Sequence, residues 1–418
     1  MWKDDAKRKR VINIILVILI IASGIVLGRF MTDIRDQNSA YDAVLAEKRT
    51  AQQQQYAEAK QEAVEELQRA YELDLATVAQ YMPGIVCWGD QLTAGSYGNV
   101  SYPDVLQKYI DAYICGVYAF SSTVDNPETY TRVDWSSYKV SIPVVNMGAG
   151  EETSGTVLGR SGAAPFTLSK ELIIPETTEK TRIEFKTVNG MDSTLLFGGE
   201  NGVNNVTVGG VEGKLSYSDG KYFFERTEPG TEVTVPKDTE IITAATDMYK
   251  DYIHVIWIGT YGGYSSADDL VEQVKLLLSR QTGNTDRFIV LGPCSKSKNW
   301  EANLADLDAV DSKLYHEFGN NYINLRKYFC SDGMSDAGLT MTNADKADVN
   351  IGAVPYSLRS VSGSPEFNST AYKLIGKIVY ERMDKLGFFD EIKEELNIDE
   401  VTKSLLNDNP NYFTNIVP

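Results

Sequence analysis

IVCWGDQLTAG, residues 85–95, joins a short apolar run to a tight polar turn. Ile85 to Trp88 is a short apolar run that reads as a strand, and Gly89-Asp90 stops it. Working outward, the same pattern recurs. Ser141 to Val145 ends in Asn146-Met147-Gly148, Tyr252 to Ile258 ends in Gly259, and Arg287 to Leu291 ends in Gly292-Pro293. Helical periodicity follows near 101–113, 267–280, 304–318 and 369–386. Strands alternating with helices predict an α/β fold with a parallel sheet, whose sites lie at the carboxyl ends of the strands. Gly89-Asp90-Gln91, Asn146-Met147-Gly148 and Gly259-Thr260-Tyr261 all fall at such ends.

Between the two α/β stretches, 84–159 and 248–390, the pattern changes. TRIEFKTV (181–188), NNVTVGGV (204–211), KLSYSDGKYFFER (214–226) and TEVTVP (231–236) alternate with a period of two, and Asp219-Gly220 is a strong hairpin signal. Residues 160–247 are therefore expected to form an all-β insertion. Its aromatics Tyr217, Tyr222 and Phe224 fit either a core or a binding surface.

The N-terminus reads as an anchor. Residues 1–10 form a basic tail, and KRKR (7–10) precedes VINIILVILIIASGIVL (11–27), which carries no charge. A run of that length crosses a bilayer as a helix, and the flanking charge places the tail in the cytoplasm and the rest outside. The competing reading is a cleaved signal peptide with Ala22-Ser23-Gly24 as its cleavage site. With the anchor retained, 11–30 is a transmembrane helix in contact with lipid, and 31–83 is a helical stalk rich in Ala, Gln, Glu and Lys. The stalk is a surface for a second copy of the chain, although its heptads are poor for a coiled coil. Residues 391–418 form a C-terminal tail.

A chain of 418 residues exceeds one ordinary domain. Its net charge is -18, and residues 1–10 are locally +3, so the remainder carries about -21. That acidity opposes nucleic acid and anionic polymers. No Walker, zinc or dinucleotide motif is present, so no cofactor and no metal are expected. The four cysteines, Cys87, Cys115, Cys294 and Cys330, form no C-x-x-C pair and read as buried thiols, with a disulfide as the alternative. The whole chain holds only two histidines, His254 and His316.

Four motifs in order resemble the SGNH (GDSL-like) hydrolase superfamily. IVCWGDQLTAG (85–95) is similar to its strand–GDS–L-T-x-G turn and VVNMGAGEETS (144–154) to its N-x-G-x-x-G block. VIWIGTYGG (255–263) is similar to its G-T-N turn and PEFNSTAYKLI (365–375) to its histidine block. The resemblance covers about 84–158 and 250–388 and implies a flavodoxin-like three-layer domain performing ester hydrolysis or acyl transfer. In that chemistry a serine attacks, a histidine takes its proton, and backbone and asparagine N–H groups hold the oxyanion.

Residue by residue, the resemblance places Gln91 at the nucleophile, Glu151 at the glycine, Tyr261 at the asparagine and Glu366 at the histidine, with Gly363 where an aspartate belongs. All four name-giving residues are replaced, while Asp90, Leu92, Thr93, Gly95, Asn146, Gly148, Thr153, Gly259, Asn368 and Tyr372 remain. Thr93 and Ser96 lie near Gln91 without a histidine placed to activate them. The cleft candidates are Asp90, Gln91, Glu151, Tyr261, Tyr264 and Glu366. They suit a degenerate surface, a sugar cleft, a hard-cation site, or acid–base chemistry by Glu151 and Glu366. The expectation is a membrane-anchored, extracytoplasmic pseudoenzyme that binds cell-envelope glycan or a partner protein. The alternatives are an active esterase or O-acetyl-transferring enzyme acting on envelope polysaccharide, and a structural scaffold in a surface complex.

Overall fold

The computed structural model describes residues 82–95, 100–111, 114, 142–283, 285–295, 304–360 and 366–396, with some exposed helical residues between 48 and 58. The transmembrane helix expected over 11–30, most of the stalk and the tail beyond 396 lie outside the described residues. Among the described residues, no helix is long and apolar enough to cross a membrane.

The chain is mixed α/β. β1 (Ile85–Gly89), α1 (Gln91–Ala94), α2 (Tyr102–Ile110), β2 (Val144–Gly148) and α3 (Ser154–Ser161) come first. After the insertion follow β12 (Ile253–Trp257), α4 (Ala267–Leu278), β13 (Phe288–Leu291), α5 (Leu304–Phe318) and β14 (Tyr322–Ile323). α6 (Leu325–Tyr328), α7 (Asn343–Asn350), α8 (Ser369–Lys385) and α9 (Asp390–Leu396) follow, with shorter helical turns between them.

The strands form one five-stranded sheet in the order β14-β13-β12-β1-β2, every pairing parallel. The apolar runs make this possible, because both faces of each central strand are covered. Ile85, Cys87, Ile253, Val255, Trp257, Ile289 and Leu291 join one core with residues of α2 and α8. Val86, Trp88, Ile256 and Val290 join the other with residues of α3, α4 and α5. Each of these side chains contributes about 1.5–3 kcal/mol by leaving water.

β2 starts three residues later than the apolar run suggests. Pro143 has no N–H to give a ladder, but its carbonyl accepts from Ile85 N at 2.8 Å. Gln107 of α2 bonds the Ile142 carbonyl (3.1 Å) and Val144 N (2.7 Å), fixing where the strand enters. Asn146-Met147-Gly148 is thus inside the strand, paired with Cys87, Trp88 and Gly89.

The insertion holds β3 (Phe166–Leu168), β4 (Leu172–Ile174), β5 (Thr181–Ile183), β6 (Phe185–Lys186), β7 (Val206–Val208), β8 (Val211–Ser218), β9 (Lys221–Arg226), β10 (Val233–Val235) and β11 (Glu240–Ile242). Seven of them form an antiparallel sheet in the order β5-β9-β8-β7-β11-β3-β6, and β4 pairs with β10. Phe166, Phe185, Leu195, Phe224 and Ile241 belong to a separate core. At the β8–β9 hairpin, Asp219 (φ 49°) and Gly220 (φ 71°) are both left-handed, the turn that matches strand twist.

Candidate functional site

The order β14-β13-β12-β1-β2 reverses direction between β1 and β12. In open α/β sheets a crevice opens outside the carboxyl ends of the strands at that point. Asp90 and Gln91 follow β1, and Gly259, Thr260 and Tyr261 follow β12, so two of the sequence-predicted turns flank it.

Asp90 caps α1, its Oδ1 accepting from Leu92 N at 2.9 Å. It is 1% exposed. Burial raises its carboxyl to about 7; the backbone N–H groups of Leu92 and Thr260 oppose the rise and Glu152 adds to it. Gln91, at the position the resemblance gives to a nucleophile, donates from Nε2 to the Gly95 carbonyl at 3.0 Å. Its amide closes its own helical turn. Its Oε1 packs on Gly150, where a Cβ would lie 2.8 Å from it.

Glu366 is 6% exposed and lies just before α8, whose N-cap is Asn368. Tyr372 of α8 is fully buried, and its hydroxyl is raised first by burial, then by the charges of Glu366, Asp90 and Tyr261. Those three predicted residues therefore lie within electrostatic reach of one buried phenol. Tyr264 turns toward the other side of the same turn. It packs on the second core beside Gly259 and Leu270, and its hydroxyl is raised by burial and then by Asp306. Glu151 is exposed at φ 56° and stands at the rim.

The next residue, Glu152, is 1% exposed and pairs with Arg160 of α3 at 2.8 Å. Burial pushes the Glu152 carboxyl up and the guanidinium pulls it part of the way back. Arg160 is 0% exposed. It donates from Nε to both Glu152 oxygens (3.0 and 2.9 Å), from Nη2 to the carbonyls of Met147 (2.8 Å) and Gly89 (3.4 Å), and from Nη1 to that of Asn201 (3.0 Å). Asn201 Nδ2 in turn donates to the Gly148 carbonyl. One guanidinium thus ties the ends of β1 and β2 to a loop of the insertion. Nothing in the sequence around Arg160 marks it out.

The insertion reaches the site at two further points. Asn189 Nδ2 donates to the Gly263 carbonyl (3.0 Å), which Gln273 Nε2 also bonds (2.9 Å). Gly198 forms an antiparallel bridge with Gly150. Only glycines allow that approach, since a Cβ on Gly198 would meet Gly150 Cα at 2.1 Å.

Neither histidine is near. His254 is the second residue of β12, roughly 16 Å of extended chain before Gly259. It is 2% exposed, its Nε2 contacts the Tyr249 carbonyl at 3.2 Å, and burial lowers it to about 4. His316 is exposed on α5. The chain has no other histidine. Among the described residues, no three His, Cys, Asp or Glu side chains are set to hold a metal. Cys87 and Cys294 are buried free thiols and Cys330 is half-buried; Cys115 lies outside the described residues. Among the described residues, the arrangement offers buried carboxyls and hydroxyls.

No protein-family model, no curated protein and no solved structure matches this chain.

Proposed function

We propose that this chain is a membrane-anchored, extracytoplasmic protein with a flavodoxin-like, three-layer SGNH-hydrolase-like domain that has lost serine-hydrolase chemistry and works by binding, either cell-envelope glycan or a partner protein. The observation that carries this reading is the state of the nucleophile position. Gln91 spends its amide on Gly95, and both histidines of the chain stand away from it. The strand order and the four motifs support the fold assignment. The uncharged run 11–27 behind KRKR supports the anchor and its orientation.

The test is hydrolysis of p-nitrophenyl acetate by the full-length chain in mild detergent. The expected rate equals that of the detergent buffer. Turnover that disappears in Thr93→Ala or Ser96→Ala would refute the reading. Orientation is checked by protease added outside intact cells, which should degrade the domain. Protection of the domain until the membrane is broken would reverse the assignment.

A further inference from the structure

With Asp90, Glu366 and Tyr372 buried, the exposed chemistry at this end of the molecule lies on the rim built by the insertion. A row of four aromatic rings runs there from core to surface. Phe185 meets Tyr222 at 4.6 Å, Tyr222 meets Tyr217 at 4.9 Å, and Tyr217 meets Phe197 at 4.7 Å between centroids. Phe185 is 5% exposed, Tyr217 38% and Phe197 44%. Tyr217 and Tyr222 are directly paired across β8 and β9, so both rings stand on one face. The Tyr222 hydroxyl lies 3.0 Å from the Ser193 carbonyl and 2.8 Å from that of Leu195, which fixes the middle of the row.

The antiparallel bridge Gly150↔Gly198 sets what stands beside the outermost ring. Glu151 and Phe197 are the chain neighbours of the two bridged glycines, so their backbones leave the same contact. Glu151 is exposed and Asn201, just beyond, is clamped to Gly148. Two exposed rings and an exposed carboxylate are therefore held together by backbone that is already ordered, so little freedom is lost when a ligand arrives.

We propose that Phe197, Tyr217 and Glu151 form a binding platform for an uncharged glycan. This rests on the binding reading above, and it moves the ligand from the buried crevice to the rim. Flat ring faces take the C–H faces of sugars, and a carboxylate accepts from their hydroxyls. The net charge of -18 opposes an anionic glycan. The rings are tilted by 36° on an open surface, which makes a shelf and not the enclosing box that holds an ammonium group.

The experiment is calorimetric titration of the full-length chain in mild detergent with cellotetraose, chitotetraose, mannotetraose and galactotetraose. The de-N-acetylated chitosan tetramer and tetragalacturonate serve as cationic and anionic counterparts. At least one neutral tetramer is expected to bind with Kd near or below about 1 mM. Phe197→Ala and Tyr217→Ala each weaken it about tenfold. Phe197→Trp retains it, and Tyr315→Ala, which removes an aromatic exposed on α5, leaves it unchanged. Absence of binding by every neutral tetramer overturns the platform, as does binding of the cationic tetramer alone. Neutral binding that survives Phe197→Ala and Tyr217→Ala but is lost in Tyr261→Ala also overturns it. That last result would keep the binding function and return the sugar to the crevice, whereas ester turnover would remove the function itself.

Discussion

Glu151 and Glu152 are neighbours in the chain and meet opposite surroundings. One stands in water at φ 56°; the other is sealed against Arg160. Sequence reading singled out the first, because it occupies a motif position, and passed over the second. The reason is physical: a buried ion pair is defined by what encloses it, and Arg160 draws its partners from residues as distant as Gly89 and Asn201. The pair has a measurable cost. Arg160→Met leaves Glu152 charged, buried and alone, and is expected to destabilise the fold by about 3–5 kcal/mol in urea unfolding. Glu152→Gln combined with Arg160→Met should recover part of the loss. Asp90 supplies a second prediction. Its folded carboxyl is raised to about 7 from an ordinary 3.8, so the native chain binds a proton that the unfolded chain has released. Stability therefore falls as pH climbs from about 4 to about 7 and levels off above, by at most about 4 kcal/mol. Asp90→Asn keeps the helix cap and should flatten that slope, raising the melting temperature at pH 8 more than at pH 5. A variant that melts with the same pH dependence as the parent would contradict the burial of this carboxyl.

At the scale of elements, the apolar runs identified β1, β12 and β13 because a strand covered on both faces needs nothing but apolar side chains. The Asp219-Gly220 hairpin was equally legible, since its turn demands left-handed residues at fixed places. β14, two residues long, carries no periodicity to read. The aromatics of β8 and β9 fitted either a core or a binding surface, because the sequence does not say where the core ends along the hairpin. Phe224 is 1% exposed and Tyr217 is 38% exposed on the same face of the hairpin. The contacts that fuse the insertion to the sheet were not legible at all. They depend on two glycines, 150 and 198, approaching from 48 residues apart in the chain. Gly198→Ala should force that bridge open. Amide exchange at Ala149 and Val203 is expected to accelerate, while the β8–β9 hairpin keeps its protection. Unchanged exchange at both would show that the bridge does not hold the insertion in place.

For the whole molecule, a five-stranded parallel sheet with a topological switch at β1 and β12 presents the kind of crevice where α/β proteins usually place their chemistry. Here Asp90, Glu366 and Tyr372 are buried and Gln91 and Tyr261 half-buried, and the proposed platform takes its two exposed rings from the insertion. The basic residues before an uncharged run and the acidic remainder belong to the same proposal, in which the domain is held outside a membrane and works by contact. The central claim is that no activated nucleophile remains. It is tested most directly by treating the full-length chain with a fluorophosphonate, which phosphonylates activated serine and threonine hydroxyls, and weighing the intact protein. An unchanged mass is expected of the proposed pseudoenzyme. An adduct lost in Thr93→Ala or Ser96→Ala would contradict it.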